Sequence, residues 1–175
     1  MFTFRPAAPS DLTAIHSMQN VPFREQVFAR PFPHLDRYLQ ETANQIASGK
    51  EYYFILEETG SLRGFVWFQQ VEGDWYATIW GRFLKTLVYA GTTVAFDKLR
   101  LPKLLWCVRQ TNQRMIQICD LFRFRSLGET PVLWTREQHP YVVQVTLNYY
   151  EITAEEFQEK ASLLRQQSLP LLFQF

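Results

Sequence analysis

The sequence predicts a single-domain α/β fold. Strand-like and helical hydrophobic patterns alternate along all 175 residues. No repeat, low-complexity tract or linker divides the chain, and a buried strand, a polar turn and an amphipathic helix follow one another between Lys103 and Phe124. A chain of this length suits one domain with a sizeable core. We therefore expect residues 1–175 to form one domain, with an apolar tail at residues 167–175.

The segment from Lys103 to Phe124 carries the clearest local pattern. Leu104 to Val108 is a short apolar run, which is typical of a buried strand. A helix is then expected to begin at Asn112, because its side chain can accept hydrogen bonds from the free backbone amides of a first helical turn. The helix would face the core through residues at helical spacing, namely Met115, Ile118, Cys119 and Phe122.

The first half of the chain predicts a strand, two helices and a three-stranded meander. Residues 21–33, which contain three prolines, are expected to form a loop between the helices. Ser10 or Asp11 is placed to cap the first helix, and Gly49 to end the second. The strands expected here are Phe2–Arg5, Tyr52–Glu57, Leu62–Val71 and Trp75–Phe83. The last three are joined by sequences typical of hairpin turns, at Glu58-Thr59-Gly60 and Glu72-Gly73-Asp74.

The second half predicts a central helix, the segment already described, two strands and a last helix. The central helix has apolar residues at helical spacing from Leu87 to Leu99 and ends before Pro102. Thr153 and Glu156 form a capping box for the last helix. The tail from Ser168 to Phe175 is apolar, and we expect it to pack on this domain or on a second copy, which makes a homodimer a prediction. The two strands before the last helix are expected near Pro131–Arg136 and over Tyr141–Ile152.

Composition limits the classes of partner. The formal net charge of +1 provides no general attraction for nucleic acid or anionic lipid. No apolar segment approaches the roughly 20 residues of a membrane-spanning helix. Cys107 and Cys119 lie within apolar patterns without metal-ligand spacing, which indicates inert buried thiols in a reduced, cytoplasmic protein. The three histidines also lack metal-ligand spacing, so no metal is expected.

The order of elements and several short segments resemble the GNAT acetyltransferase superfamily along nearly the whole chain. The segment from Asn112 to Phe124 resembles the family's Asn…Gly-Phe motif, with Arg123 where the family usually has Gly. RPAAPSDLTAI resembles the family's opening strand and helix, and AFDKLRLPKL resembles the end of its central helix. NYYEITAEEF resembles the final strand and helix of the branch that contains ribosomal-protein N-acetyltransferases. The resemblance implies a mixed, mostly antiparallel central sheet with helices on both faces.

The resemblance also implies acetyl-CoA as cosubstrate and a place for it. The family binds the CoA pyrophosphate in a glycine-rich loop at the start of its central helix, where free amides point at the phosphates. The equivalent stretch here, IWGRFLKTLVYAG, is degenerate, since Gly81 is its one glycine before the helix. The arginines near Asn112, including Arg109 and Arg114, have two interpretations. They could bind the CoA 3′-phosphate, or they could form a basic face exposed to solvent. Carried over residue by residue, the cofactor-binding candidates are Ile79, Trp80, Gly81, Phe83, Lys85, Thr86 and Asn112.

In the family, the strand before this loop splays from its neighbour and pairs with the pantetheine arm. Ile79 to Phe83 occupies that place here and would face Leu105 to Val108 across an apolar slot. The alternative is that Trp80 and Trp106 fill the slot, which would make the protein an inactive relative.

Catalysis of acetyl transfer needs a neutral amine and a proton for the leaving thiolate. Glu72 is a candidate base, although its position in a turn favours a solvated residue without a catalytic role. Tyr149 and Tyr150 are candidate acids, and alternation along a strand places them on opposite faces. Cys119 occupies the position where one branch of the family has a catalytic Tyr. Its place on the apolar side of the helix favours a core residue over a catalytic one. The resemblance assigns the acceptor cleft to Phe23, Arg24, Phe28, Trp134 and Tyr141.

Two functions are therefore compatible with the sequence. The first is an acetyl-CoA-dependent N-acyltransferase that acts on a small amine or a peptide N-terminus by direct transfer. The second is a GNAT-like binding or assembly module that has lost CoA chemistry. The segment at Asn112 and the order of elements favour the first, whereas the missing glycines and the missing strand carboxylate favour the second.

Overall fold

A computed structural model describes residues 1–19, 33–135 and 142–175, with the backbone alone described at residues 132–135 and 142–145. The helices in these ranges are α1 (Leu12–Gln19), α2 (Leu35–Ala47), α3 (Leu84–Thr93), α4 (Gln113–Leu121) and α5 (Ala154–Gln166). The strands are β1 (Phe2–Pro6), β2 (Glu51–Glu58), β3 (Ser61–Val71), β4 (Asp74–Gly81), β5 (Lys103–Arg109), β6 (Arg125–Thr135), β7 (Val142–Thr153) and β8 (Leu171–Phe173). None of the helices in the described ranges is long and apolar enough to cross a membrane.

The strands form one mixed sheet in the order β6-β7-β5-β4-β3-β2-β1-β8. Two neighbouring pairs, β4–β5 and β1–β8, are parallel, and the other pairs are antiparallel. The predicted α/β class and mostly antiparallel sheet are confirmed.

Alternation along the strands divides the core into two clusters, one on each face of the sheet. On one face, Tyr53, Ile55 and Phe65 pack with α1 and α2. On the other face, a larger cluster that includes Phe54, Leu56 and Phe68 packs beneath α3, α4 and α5. Each central strand is therefore covered on both sides, and the prediction of helices on both faces is confirmed.

The predicted hairpin turns are present between β2 and β3 and between β3 and β4. Glu58 pairs with Ser61, and Val71 pairs with Asp74, so each loop has two residues. The loop residues all have positive φ, at 49° and 77° in Thr59-Gly60 and at 52° and 90° in Glu72-Gly73. This is the backbone that matches the right-handed twist of paired strands.

The central helix lies tightly on the sheet. A Cβ added at Gly91 would meet Val66 Cγ1 at 3.1 Å and the Trp106 ring at 3.7 Å. The absence of a side chain at Gly91 thus lets α3 approach β3 and β5, which offsets the cost of glycine in a helix. The helix continues as a π-helical segment, Val94–Lys98.

Two local predictions need correction. The first helical segment begins one turn early as a 3-10 turn, Pro9–Asp11, with Ala8 at its cap position. Asp11 is not the cap residue, but its carboxylate accepts from the Ala8 amide at 2.6 Å. The strand expected near Pro131 begins at Arg125, because β6 pairs with β7 across a bulge at Gly128. The apolar tail packs on its own domain, which was one of the two predicted outcomes, because β8 pairs with β1 of the same chain.

Candidate active site

The two parallel strands at the centre of the sheet separate towards one end. β4 and β5 pair only at Tyr76↔Leu105 and Ala77↔Trp106, whereas β4 remains paired with β3 as far as Gly81. The edge of β4 from Thr78 to Gly81 therefore has no paired strand on its β5 side. Backbone groups along such an edge can pair with an extended ligand as they would with another strand.

A cavity of about 550 Å³ lies at this opening. Because successive side chains of a strand point to opposite faces, the cavity wall contains residues from both faces of the sheet. The lining residues from the face of α3 and α4 are Ala77, Ile79, Trp106, Val108 and Met115. Those from the β4 and β5 positions that alternate with them are Thr78, Trp80, Cys107 and Arg109. A cavity of this size is typical of small-molecule sites.

The two tryptophans do not fill the opening. Trp106 is 1% exposed and stacks on Phe124, with ring centroids 6.1 Å apart, in the core beneath α3 and α4. Trp80 packs on the other face, against the cluster that contains Tyr53 and Phe65. Since the two rings point to opposite faces of the sheet, they flank the cavity rather than meet across it.

The architecture is similar to that of solved acetyltransferase structures, although the sequence matches are weak. No known protein family matches the sequence, and no curated protein matches it. A mutant form of the spermidine/spermine N-acetyltransferase SpeG from Vibrio cholerae matches with a TM-score of 0.72 and 18% identity, over 91% of this chain and 98% of that chain. An N-acetyltransferase from Staphylococcus aureus Mu50 matches with a TM-score of 0.68 and 17% identity, over 88% of this chain and 99% of that chain. The chain has the GNAT acetyltransferase fold.

A third match is a dodecameric structure of the Vibrio cholerae spermidine N-acetyltransferase, with a TM-score of 0.69 and 19% identity, over 89% of this chain and 95% of that chain. Identities this low establish the GNAT fold alone.

A second cavity, also of about 550 Å³, lies where α3 begins. The helix has no side-chain cap at Phe83, so its first amides are not satisfied by a capping side chain. Basic side chains from two helical regions, Arg82, Lys85 and Arg114, line this cavity, and no described lining residue is acidic. The GNAT resemblance had indicated Phe83, Lys85 and Thr86, and all three line this cavity. Free helical amides and several cations together favour an anion.

Gly81 has a structural reason to be glycine that the sequence did not show. Its φ is +145°, and an added Cβ would lie 2.6 Å from both the Arg63 carbonyl oxygen and the Gly64 Cα. The two glycines are register partners on β3 and β4. Gly81 therefore permits close contact between the strands just before α3.

Asn112 occupies the start of α4, as predicted. Its Oδ1 accepts a hydrogen bond from the Met115 backbone amide at 3.2 Å, which is the expected capping contact. Asn112 also lines the cavity at the β4–β5 opening, together with Ile79 and Trp80. Apart from Gly81, the cofactor-binding candidates thus divide between the two cavities, and Leu84 lines both.

The two candidate tyrosines have different environments. Tyr150 is 5% exposed and belongs to the core beneath α3 and α4. Tyr149 points to the other face and is half-buried, in register with Cys107 on β5. Burial, with a smaller contribution from the Cys107 thiol, raises the pKa of Tyr149 to about 12. Tyr149 is thus the tyrosine that lies beside the opening.

The two cysteines differ as well, and one expectation was wrong. Cys119 is fully buried, and burial raises the pKa of its thiol to about 12, as a core position predicts. Cys107 is exposed and lines the cavity at the β4–β5 opening. Desolvation at the cavity wall raises the pKa of the Cys107 thiol, while its interaction with Tyr149 opposes that shift. The alternation Leu104, Trp106, Val108 against Leu105, Cys107, Arg109 was the sequence signal for this exposure.

Glu72 lies away from the opening. It is exposed in the turn before β4, while the opening begins after Ala77. The four residue-to-residue steps from Asp74 to Thr78 span about 13 Å of extended chain. No carboxylate occurs among the described residues that line the cavity at the opening.

The candidate acceptor residues are not tested by the structure. Phe23, Arg24, Phe28 and Tyr141 lie outside the described residues. The backbone of Trp134 pairs with Val143 in the β6–β7 hairpin. Groups of three or more metal-ligating side chains do not occur in the described part of the chain.

Proposed function

We propose that this protein is an acetyl-CoA-dependent N-acyltransferase, which transfers an acetyl group directly to a primary amine of a small molecule or a peptide N-terminus. The supporting observation is the cavity at the β4–β5 opening, which is lined from both faces of the sheet. Two substrates can approach such a cavity from opposite faces and react without a covalent enzyme intermediate. The GNAT fold is consistent with this chemistry.

The cosubstrate would extend between the two cavities. The backbone of Ile79 and Trp80 offers an edge for the pantetheine amides. Lys85, with Arg82 and Arg114, would contact the phosphates near the first amides of α3. Asn112 lies at the rim of the first cavity. When bound, acetyl-CoA would supply an acyl group activated as a thioester.

Tyr149 is the proposed proton donor. Its raised pKa means that the hydroxyl is protonated at neutral pH, and its register partner on β5, Cys107, lines the cavity. Tyr150 is excluded from this role in our proposal because its side chain is buried in the core. The described lining residues provide no carboxylate base, so the amine would have to enter as the neutral form or lose its proton to water.

The structural neighbours include proteins named as spermidine acetyltransferases, but the described wall does not resemble a site for a polycation. Arg109 lines the cavity and carboxylates are absent from its described lining. Like charges are unfavourable in a partly desolvated site. We therefore propose a primary amine of low positive charge as acceptor, with Phe23, Arg24, Phe28, Trp134 and Tyr141 as proposed contacts.

The first test is calorimetric titration of acetyl-CoA and CoA into the purified protein. We expect saturable binding at micromolar concentrations, weakened about tenfold or more by Lys85→Glu and by Asn112→Ala, since one or two contacts of about 1.4 kcal/mol correspond to that factor. Lys50→Glu is the control, because Lys50 is exposed and does not line either cavity. A folded wild-type protein that binds neither compound would exclude the acyltransferase proposal.

The second test addresses catalysis. With an amine acceptor found by screening, Tyr149→Phe should lower kcat by a factor of about 100 or more, the usual contribution of a positioned acid, with little change in the KM for acetyl-CoA. Tyr150→Phe should retain the wild-type kcat. Equal kcat values for Tyr149→Phe and wild type would assign proton delivery to another group.

The alternative is a GNAT-like binding or assembly module. It is favoured by the absence of a carboxylate from the described wall of the opening and by the single glycine, Gly81, before α3. Calorimetry that detects no CoA binding, followed by capture of a protein partner, would support it. The cytoplasmic location, the similarity to the ribosomal-protein branch and a homodimer through the C-terminal tail remain predictions, and the outer edge of β8 is where a second copy would join.

A further inference from the structure

The C-terminal segment, Gln167–Phe173, follows α5 and passes the start of α3 before it reaches the sheet edge as β8. Its first part lies against the second cavity, and its last part pairs with β1 at Phe2↔Leu171 and Phe4↔Phe173. The Gln174 amide also donates to the Phe4 carbonyl at 3.0 Å. One short segment thus connects the edge of the sheet with the cavity at α3.

Two hydrogen bonds attach the segment to the first turn of α3. The Leu169 amide donates to Thr86 Oγ1 at 3.1 Å, and Lys85 Nζ donates to Gln167 Oε1 at 3.3 Å. The Ser168 hydroxyl donates to the Leu164 carbonyl at 2.7 Å and lies 3.4 Å from the Lys85 carbonyl. Thr86 is 2% exposed, so its contact with Leu169 is shielded from water and cannot be replaced by solvent without cost.

The same segment forms part of the cavity wall. Gln167 and Leu169 line the cavity of about 550 Å³ together with the basic residues Arg82, Lys85 and Arg114. Two of the lining residues thus come from the segment, and one of them, Leu169, is bonded to the buried Thr86 hydroxyl. The segment therefore shapes the space in which an anion would bind.

We propose that Thr86 and the C-terminal segment act together as a positioning device for the cosubstrate: Thr86 holds the segment against α3, the segment holds Lys85 at the cavity rim, and docking of the segment and occupancy of the cavity stabilise each other. This inference rests on the proposed function, since it takes the diphosphate of CoA as the anion. Coupling between two binding events is reciprocal, so CoA must strengthen docking by the same factor by which docking strengthens CoA binding.

Substitutions at Thr86 separate this role from simple packing. Thr86→Val removes the acceptor for the Leu169 amide at nearly constant volume, and Thr86→Ser restores the hydroxyl. Thr93→Val is the matched control, because the Thr93 hydroxyl donates to the Tyr89 carbonyl at 2.8 Å within the same helix and does not contact the segment. Gln167→Ala tests the contact with Lys85 at an exposed position, where folding is not at risk.

The experiment combines calorimetry with amide hydrogen exchange in the full-length protein. Addition of CoA should slow exchange at Leu169 and Leu171 in the wild type and in Thr86→Ser, and not in Thr86→Val. The Kd for CoA should rise about tenfold in Thr86→Val, which corresponds to about 1.4 kcal/mol, and about threefold in Gln167→Ala. Thr86→Ser and Thr93→Val should bind CoA as the wild type does.

Equal CoA affinity in wild type, Thr86→Val and Gln167→Ala would overturn the inference, as would exchange at Leu169 that is unchanged by CoA. If Thr86→Val fails to fold, Gln167→Ala and the exchange measurement on the wild type decide the question. Failure of the proposed function is distinguishable, because the wild type would then bind no CoA. In that case protection of Leu169 by inorganic pyrophosphate would support the coupling, and no protection would overturn it.

Discussion

Cys107 on β5 and Tyr149 on β7 are register partners. The alternation of side chains along each strand decides which face of the sheet both residues occupy. Alternate residues of β5 face the core at Leu104, Trp106 and Val108, so Cys107 is directed to the other face and to the cavity. A cysteine within an apolar run is therefore exposed here, because strand parity and not local hydrophobicity decides which face it occupies.

The two thiols should differ in reactivity. In the native protein at pH 8.5, a thiol-reactive disulfide reagent should modify one cysteine, Cys107, and the rate should rise with pH because the pKa of this thiol is raised. Cys119 should react only after unfolding, since it is fully buried. Cys107→Ser should abolish native-state labelling, and fast native labelling of Cys107→Ser would contradict the assignment. CoA should slow labelling of the wild type if it occupies the cavity.

Glu51 is a second residue whose environment decides its chemistry. It is 7% exposed, and it accepts from the Tyr53 hydroxyl at 3.2 Å and from Gln69 Nε2 at 3.4 Å. Burial raises the pKa of Glu51, although hydrogen bonds from Tyr53 and Trp67 oppose the shift. The folded protein thus holds the Glu51 proton more tightly than the unfolded chain does, and the free energy of unfolding should fall as pH rises from the ordinary carboxyl pKa through the raised one.

Glu51→Gln should therefore be more stable relative to wild type at pH 8 than at pH 4, because the amide stays neutral throughout. Urea denaturation at pH 4, 6 and 8 measures this difference. Glu159→Gln, which removes an exposed carboxylate, is the control. A wild type that gains stability relative to Glu51→Gln on going from pH 4 to pH 8 would show the opposite sign and contradict the argument.

At the scale of elements, the contact between β3 and β4 sets the shape of the opening. Gly64 and Gly81 face each other, and a Cβ at Gly64 would lie 2.7 Å from the Trp80 carbonyl oxygen and 2.8 Å from Leu87 Cδ1. The glycine pair lets β4 follow β3 to its end while α3 begins directly above it. The divergence of β4 from β5 depends on this adherence to β3.

Gly64→Ala should destabilise the protein by about 1–3 kcal/mol, the usual cost of an overpacked position. It should also weaken CoA binding, because β4 must shift to relieve the contact with the Trp80 carbonyl. Thermal unfolding and calorimetry measure the two effects. Gln70→Ala, at an exposed position of the same strand, should leave both unchanged. Wild-type stability in Gly64→Ala would show that β3 and β4 accommodate the added methyl group.

At the scale of the whole molecule, the C-terminal tail completes the sheet and covers the edge of the larger core cluster. Phe173 of β8 contacts the rings of Phe4 and Tyr89, with centroid distances of 6.1 Å to each. Its neighbour Leu172 is 42% exposed. The tail therefore contributes to the larger core cluster.

Phe173→Ala should lower the free energy of unfolding by about 2 kcal/mol, less than a fully buried phenylalanine because the ring is partly exposed. Leu172→Ala should be close to neutral. Chemical denaturation followed by fluorescence and by circular dichroism should give coincident single transitions for both variants. A separate early transition in Phe173→Ala would mean that β8 unfolds independently of the domain.

Much of the fold could be predicted because its signals are local. The caps at Asn112 and Thr153 depend on residues within one helical turn, and both capping contacts are present. The two-residue turns at Thr59 and Glu72 depend on adjacent residues, and both have the expected positive φ. By contrast, the early start of β6 depends on pairing with β7. The local sequence from Arg125 to Thr130 carries no signal for that pairing.

The sequence by itself determined the α/β class, the order of elements and the start of α4, because hydrophobic periodicity and capping chemistry act over a few residues. Only the tertiary structure decided which face each strand residue occupies at the opening, since that depends on the register of β4, β5 and β7. It placed Cys107 at the cavity with Tyr149 as its register partner, Tyr150 and Cys119 in the core, and the C-terminal segment beside Thr86. These placements join residues far apart in the chain, and packing of the complete sheet is the physical cause that brings them together.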